Sequence, residues 1–272
     1  MMEFLTLLLG FIFGLMISFL AWRAHALNRS GAVAAAISGG LVFGLGGLPW
    51  AVLLLTFFIT SSGLSRLFSR RKASLGEKFS KGSQRDWGQV LANGGLGSLL
   101  AIAHFFWPEQ AWPWLAFAGA MAAVNADTWA TELGVLNPAL PSLITTGQPV
   151  ERGASGAISV YGSLAALGGA GLIAALASIL LPWAAPGVDP WRCLVFVTLG
   201  GVGGAFFDSL LGATVQAIYH CPACQKDTER HPLHTCGTPT AQIRGWHWLN
   251  NDLVNLSASL MGALLALLLV GW

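Results

Sequence analysis

Four carboxylates stand inside otherwise apolar stretches of the chain: Asp127 and Glu132 in AVNADTWATELG, Asp208 in GGAFFDSLLGATVQ, and Asp252 in WLNNDLVNL. An aspartate at the centre of a membrane helix costs roughly 2.5–3.5 kcal/mol, so four facing lipid would cost about as much as a domain's whole stability of roughly 5–15 kcal/mol. They must face a polar chamber or a partner, which makes them the first candidates for chemistry. Hard carboxylate oxygens with few cations in the adjacent span suit Mg²⁺, an ion usually bridged to substrate phosphate. The expectation is that Asp127, Asp208 and Asp252 hold Mg²⁺ directly or through water, with Glu132 assisting. On an ideal helix Thr128 and Glu132 share a face, whereas Asp127 and Glu132 lie roughly 140° apart and reach one ligand only across a break or a water. Burial by hydrogen bonds to Asn125, Thr128 or a neighbouring helix is the alternative.

Donors for phosphate accompany these acids. In GEKFSKGSQRDWGQVLANGGLGS, Lys81, Ser83, Gln84 and Arg85 precede a helix, and Asn93 lies one or two turns inside it. Free N–H groups and the dipole at such a helix start favour an anion, although the same charges also serve as a topological signal. Asn251, Asp252 and Asn255 crowd one helical face, more polarity than ordinary helix packing needs. In ERGASGAISVYGSLAALGGAG, Ser159 and Ser163 sit among small residues that admit either a substrate or a close helix. Cys221, Cys224, His234 and Cys236 form a CxxC followed by HxC, the soft-ligand spacing of a tetrahedral Zn²⁺ knuckle. His220 and His231 are spare candidates there, and Cys193 reads as packing.

The elements that must position these groups are membrane helices. The chain is 54% apolar and only 10% charged, with long continuous apolar runs and no barrel-type alternation. Windows of about 20 residues place spans at 4–22, 31–48, 50–66, 88–106, 113–133, 156–181, 193–217 and 248–271. The expected fold is therefore all-α, a polytopic transmembrane bundle of about eight helices formed by residues 1–272 as one domain. A cytosolic cysteine/histidine loop, 220–246, is inserted before the last helix. The run 1–22 lacks a basic leader and a small-residue cleavage site and reads as a retained first helix.

Charge sets the expected orientation, with the N-terminus outside. Arg23, Arg29, the cluster from Arg66 to Arg85, Arg152, Lys226, Arg230 and Arg244 then all fall inside, and only Arg192 lies outside. Trp50, Trp107, Trp112, Trp114, Trp183, Trp191 and Trp272 fall at the outer ends, as interface tryptophans do. In this frame Asp127, Glu132 and Asp252 lie near the inner ends of their spans, and Asp208 lies deeper.

Together, KGSQRDWGQVLANGG, NADTWATELG, GASGAISVYGS, FFDSLLGA, CPAC with HTCG, and NNDLVN resemble an integral membrane family typified by the plant phytyl-phosphate kinase, long catalogued as a domain of unknown function. The match runs from about Arg23 to the C-terminus. Asp127, Thr128, Gly134 and the later serine-rich segment are more distantly similar to CTP-dependent dolichol kinases and phosphatidate cytidylyltransferases. Only one acid, Asp252, stands where those relatives carry a late acidic motif. The resemblance implies a kinase that uses CTP to convert an isoprenyl monophosphate to its diphosphate, in a bacterial or thylakoid-type membrane. Its partners would be the lipid, the bilayer and a nucleoside triphosphate, with no nucleic acid. Lys81, Ser83, Arg85, Asn93, Thr128, Ser159, Asn251 and Asn255 would contact nucleotide or acceptor phosphates. A transporter or flippase with a buried acidic pathway is the alternative, and it would spread its acids through the membrane depth.

Overall fold

The computed structural model describes residues 2–68 and 84–270. Its long helices are α1 (Met2–Arg23), α2 (Arg29–Leu67), α3 (Trp87–Phe106), α4 (Trp112–Gly134), α5 (Val160–Ile179), α7 (Pro190–Thr214) and α8 (Asn251–Val270), with a single turn α6 (Leu181–Ala184) between α5 and α7. Six of these helices, all but α4 among the long ones, are long and apolar enough to cross a membrane. The exception is the central helix, whose residues from Pro113 to Ala126 are all buried. Facing protein on every side, it can be rich in alanine and carry polar groups without meeting lipid.

Helix α2 has 39 residues, about 58 Å if straight against a hydrocarbon core of roughly 30 Å. It does not run straight. The backbone breaks at Gly47, with φ 76° and ψ −166° just before Pro49, a conformation only glycine adopts readily. Both ends of α2 then meet the segment before α3. Asn28 N–H donates to the Arg85 carbonyl at 3.1 Å, while the Arg85 guanidinium donates to Ser61 Oγ at 3.0 Å and Ser62 Oγ at 3.3 Å. The two arms are therefore antiparallel and match the expected spans 31–48 and 50–66. With α2 counted as two arms, the described residues form a bundle of eight long helical segments.

Small residues let these helices close on α4. A Cβ placed on Gly119 would stand 2.5 Å from the Gly262 carbonyl of α8, and one on Gly204 of α7 would meet Ala123 at 2.5 Å. Near the Gly47 end, Trp50 stacks on Phe117 at 4.5 Å and meets Trp114 edge-on at 5.7 Å. Trp50 and Trp114 are thus fully buried core residues, which corrects their expected place in an interface belt. Trp107, Trp183 and Trp191 are exposed at that end, but Trp87, Trp246 and Trp248 are exposed at the other. Trp272 lies outside the described residues. Tryptophan therefore marks both ends of the bundle and does not distinguish them.

Two short sheets interrupt the helices. Strands β1 (Ser142–Leu143) and β2 (Ala157–Ile158) pair antiparallel, so α5 starts at Val160, four residues later than expected, with Ser159 as its cap. Between α7 and α8, β3 (Ile218–Cys221), β4 (Lys226–Thr228) and β5 (Ala241–Arg244) form an antiparallel sheet in the order β4-β3-β5.

Gly119→Ala should drive a methyl into the α8 backbone and cost about 1–3 kcal/mol. A melt in detergent should fall by several degrees. An unchanged melting temperature would show that α4 and α8 are not packed this closely.

Candidate functional site

The polar ends of these helices enclose a cavity of about 590 Å³, within the size range of ligand pockets. Asp127 lies seven residues before the end of α4, Asp208 six before the end of α7, Asn93 six after the start of α3, and Asn255 four after the start of α8. At 1.5 Å per residue they stand about 6–11 Å from one end of the bundle. All four line the cavity, joined by Arg85, Thr128, Glu132, Ser159 and Asn251. Asp208 is therefore no deeper than Asp127, a correction to the depth expected from the sequence.

The acids divide into two groups. Asp208 faces the charges of Asp127 and of Glu229, a cavity residue from the loop after β4. Its Oδ2 is sealed from solvent and, among the described residues, has no hydrogen-bond partner. Glu132 belongs elsewhere: its Oε1 accepts from Ser65 Oγ at 2.6 Å, and its charge acts on Arg85. This division follows from the 140° between Asp127 and Glu132 on an unbroken α4. The cavity is broad enough to reach both sides of that helix.

Arg85 is wedged between the second arm of α2 and α3, over the rings of Phe57 at 5.6 Å and Phe58 at 5.8 Å. Burial presses its pKa below the ordinary arginine value, and Glu132 opposes that shift. The guanidinium remains charged. At the start of α3, Asp86 Oδ1 accepts from Gln89 N–H at 2.9 Å and Gln89 Oε1 accepts from Asp86 N–H at 3.2 Å. This capping box puts a carboxylate at the helix start, where the sequence suggested a phosphate, while Arg85 and Asn93 line the cavity beside it. Lys81 and Ser83 lie outside the described residues.

Several polar residues serve the frame. Asn125, fully buried, donates to the Gly169 carbonyl at 2.8 Å and accepts from Thr60 at 3.1 Å. Thr128 lines the cavity while donating to the Val124 carbonyl at 2.8 Å, and Ser159 Oγ accepts from Gly162 N–H at 3.1 Å. Asp252 stands apart from the other candidates. It lines a neighbouring recess of about 220 Å³ with Tyr219 and His231, whereas Asn251 and Glu229 line both spaces.

Gln216, Glu229 and Ser155 were not singled out by sequence reasoning. Gln216 is only 1% exposed, accepts from Ser155 Oγ at 2.6 Å and donates to Glu229 Oε1 at 2.9 Å. The one available hint was an acid placed between the two halves of the cysteine/histidine motif.

In that loop the ligand atoms of Cys221, Cys224, His234 and Cys236 all lie within 4.8 Å of one another. Cys221 Sγ is 3.6 Å from Cys236 Sγ, and His234 Nδ1 is 3.4 Å from the same sulfur. Ligands of one tetrahedral Zn²⁺, with bonds of about 2.0–2.3 Å, stand roughly 3.3–3.8 Å apart. The group can hold such an ion with His234 bound through Nδ1. Thr238 and His234 draw the Cys236 thiol down to about 6, and its hydrogen bond to Cys236 pushes Cys224 up to about 11. Cys193 is buried in α7, away from this group.

The model of an integral membrane protein family, DUF92, matches residues 12–263. Protein PGR of Arabidopsis thaliana is 32% identical over 277 residues, covering 95% of this chain and 94% of PGR. An uncharacterised membrane protein of Methanocaldococcus jannaschii is 29% identical over 266 residues, or 98% and 93% of the two chains. Protein VTE6, chloroplastic, of Arabidopsis thaliana is 24% identical over 248 residues, or 89% and 65%. No solved structure matches.

Elemental analysis of purified protein should find one transition metal ion per chain, zinc by ligand type. Cys224→Ser should lose it, and Co²⁺ reconstitution should give the absorption of a tetrahedral thiolate site in the wild type alone. Metal-free wild-type protein that melts normally would contradict this.

Proposed function

The chain belongs to the DUF92 family of integral membrane proteins, and from that premise we propose that it is a CTP-dependent kinase of an isoprenyl, phytyl-like monophosphate. The supporting observation is the convergence of Asp127, Asp208 and Glu229 with Arg85, Arg152 and Arg230 on one cavity at one end of the bundle. Acids alone would suit a cation and arginines alone an anion. Both together suit a polyphosphate carrying a divalent ion.

Phosphoryl transfer asks a protein mainly to align donor and acceptor and to neutralise charge. An oxygen of the lipid monophosphate forms a bond to the γ-phosphorus of CTP. The bond from that phosphorus to the β–γ bridging oxygen breaks, and CDP leaves with the electron pair. No base is needed, because the attacking oxygen is already anionic. The sealed, partnerless Oδ2 of Asp208 and the hard oxygens around it fit Mg²⁺, with Asp127 and Asp208 the residues that would hold it. Bound there, the ion supplies charge neutralisation between the two phosphates.

Arg85 and Asn93, on the α3 side, orient phosphate oxygens. Apolar lining from Ala166, Ala205 and Phe206 gives the isoprenyl tail a route between helices towards the bilayer. With the N-terminus outside, this end of the bundle faces the cytosol and its CTP. A carrier would need polar groups along the whole crossing, whereas the candidate acids and amides here gather within about two turns of one end.

Purified protein with Mg²⁺ and labelled CTP should phosphorylate at least one member of a panel of phytyl, geranylgeranyl, farnesyl and undecaprenyl monophosphates. Asp127→Asn and Asp208→Asn should each lower kcat/KM at least 100-fold, about 2.7 kcal/mol. Folded protein that transfers from no nucleoside triphosphate to any panel member would overturn the assignment.

A further inference from the structure

We infer that Glu229, delivered by the cysteine/histidine knuckle, completes a three-carboxylate cation site with Asp127 and Asp208, so that the metal in the knuckle controls the metal in the cavity. The inference deepens the function proposed above and rests on its divalent cation. Asp208 is repelled by both Asp127 and Glu229 beside the same cavity, and a hard divalent ion removes that repulsion by binding all three. Asp208 gives the independent sign, a sealed Oδ2 with no hydrogen-bond partner among the described residues. Asp127 and Glu229 are the two groups whose charges it faces.

Glu229 is held in place from two directions. From the bundle, Gln216 fixes it: with its carbonyl taken by Ser155, the Gln216 amide can offer only its NH₂, which donates to Glu229 Oε1 at 2.9 Å. From the knuckle, Glu229 follows directly on β4, whose buried Thr228 pairs with Tyr219 of β3. The next residues are clamped as well. Arg230 N–H donates to Thr228 Oγ1 at 3.1 Å, Thr240 Oγ1 donates to the Arg230 carbonyl at 2.9 Å, and His231 stacks on Tyr219 at 4.5 Å.

A loop of this length cannot bury a core of its own, so its shape depends on the ion that joins Cys221 and Cys224 to His234 and Cys236. Cys221 ends β3 and is paired with Lys226, the first residue of β4. Losing the knuckle ion releases this strand pair and, with it, Glu229.

The test is Mn²⁺ binding to the full-length protein in detergent, followed by electron paramagnetic resonance without nucleotide or lipid. One ion should bind. Asp208→Asn and Glu229→Gln should each weaken it at least tenfold with zinc content unchanged, and Gln216→Met should weaken it several-fold. Asp252→Asn, in the neighbouring recess, should change it less than twofold. Cys224→Ser, without knuckle metal, should match Glu229→Gln. Wild-type affinity in Glu229→Gln would overturn the inference even if the protein is a kinase, as would wild-type affinity in the metal-free Cys224→Ser protein. Mn²⁺ binding with these mutational losses but no phosphoryl transfer would preserve the cation site and sink the kinase.

Discussion

A carboxylate cannot be left facing hydrocarbon, and this constraint organises the molecule. Asp127 and Asp208 belong to two different helices yet stand at the same depth beside one polar cavity. To bring them together, α4 must be surrounded by the other helices and α7 must lie close against it. Glycine supplies that closeness where a single Cβ would collide, as at Gly119 and Gly204. The apolar end, sealed by Trp50, Trp114 and Phe117, closes the bundle away from the site.

The cavity is polar at modest expense because it opens among helix ends and loops, where backbone groups already need partners. Ser159 caps α5 and Asp86 caps α3 at its margin. Arg152 donates to the Val135 and Pro138 carbonyls just beyond α4. Arg244 donates to the Gly212 carbonyl near the end of α7, fastening the knuckle to the bundle at 2.7 Å. Of these side chains, Ser159 and Arg152 close helix termini and also line the cavity.

Most of the helices were legible in the sequence, because each is a continuous apolar run about as long as a bilayer is thick. The hairpin at Gly47 was legible too, since glycine followed by Pro49 interrupts a 39-residue stretch that is otherwise too long. The depth of Asp208 was not. Hydropathy puts its span at 193–217 whereas the helix runs from Pro190 to Thr214, and a shift of three residues moves a side chain by about 4.5 Å. Spacing groups Asp252 with Asn251 and Asn255, but on a helix it sits about 100° from Asn251, enough to turn it into the next recess. Glu229 reaches the cavity only because the knuckle docks on α7, a tertiary event that local pattern does not encode.

The proposed function requires a divalent ion and a nucleotide to meet in this one cavity. The most direct measurement is a structure of the protein with Mn²⁺ and a non-hydrolysable CTP analogue, locating the metal by its anomalous signal. The expected result is a peak within coordination distance of Asp127 and Asp208, with the triphosphate lying towards Arg85 and Asn93. A nucleotide bound outside the cavity, or a metal peak confined to the cysteine/histidine loop, would contradict it.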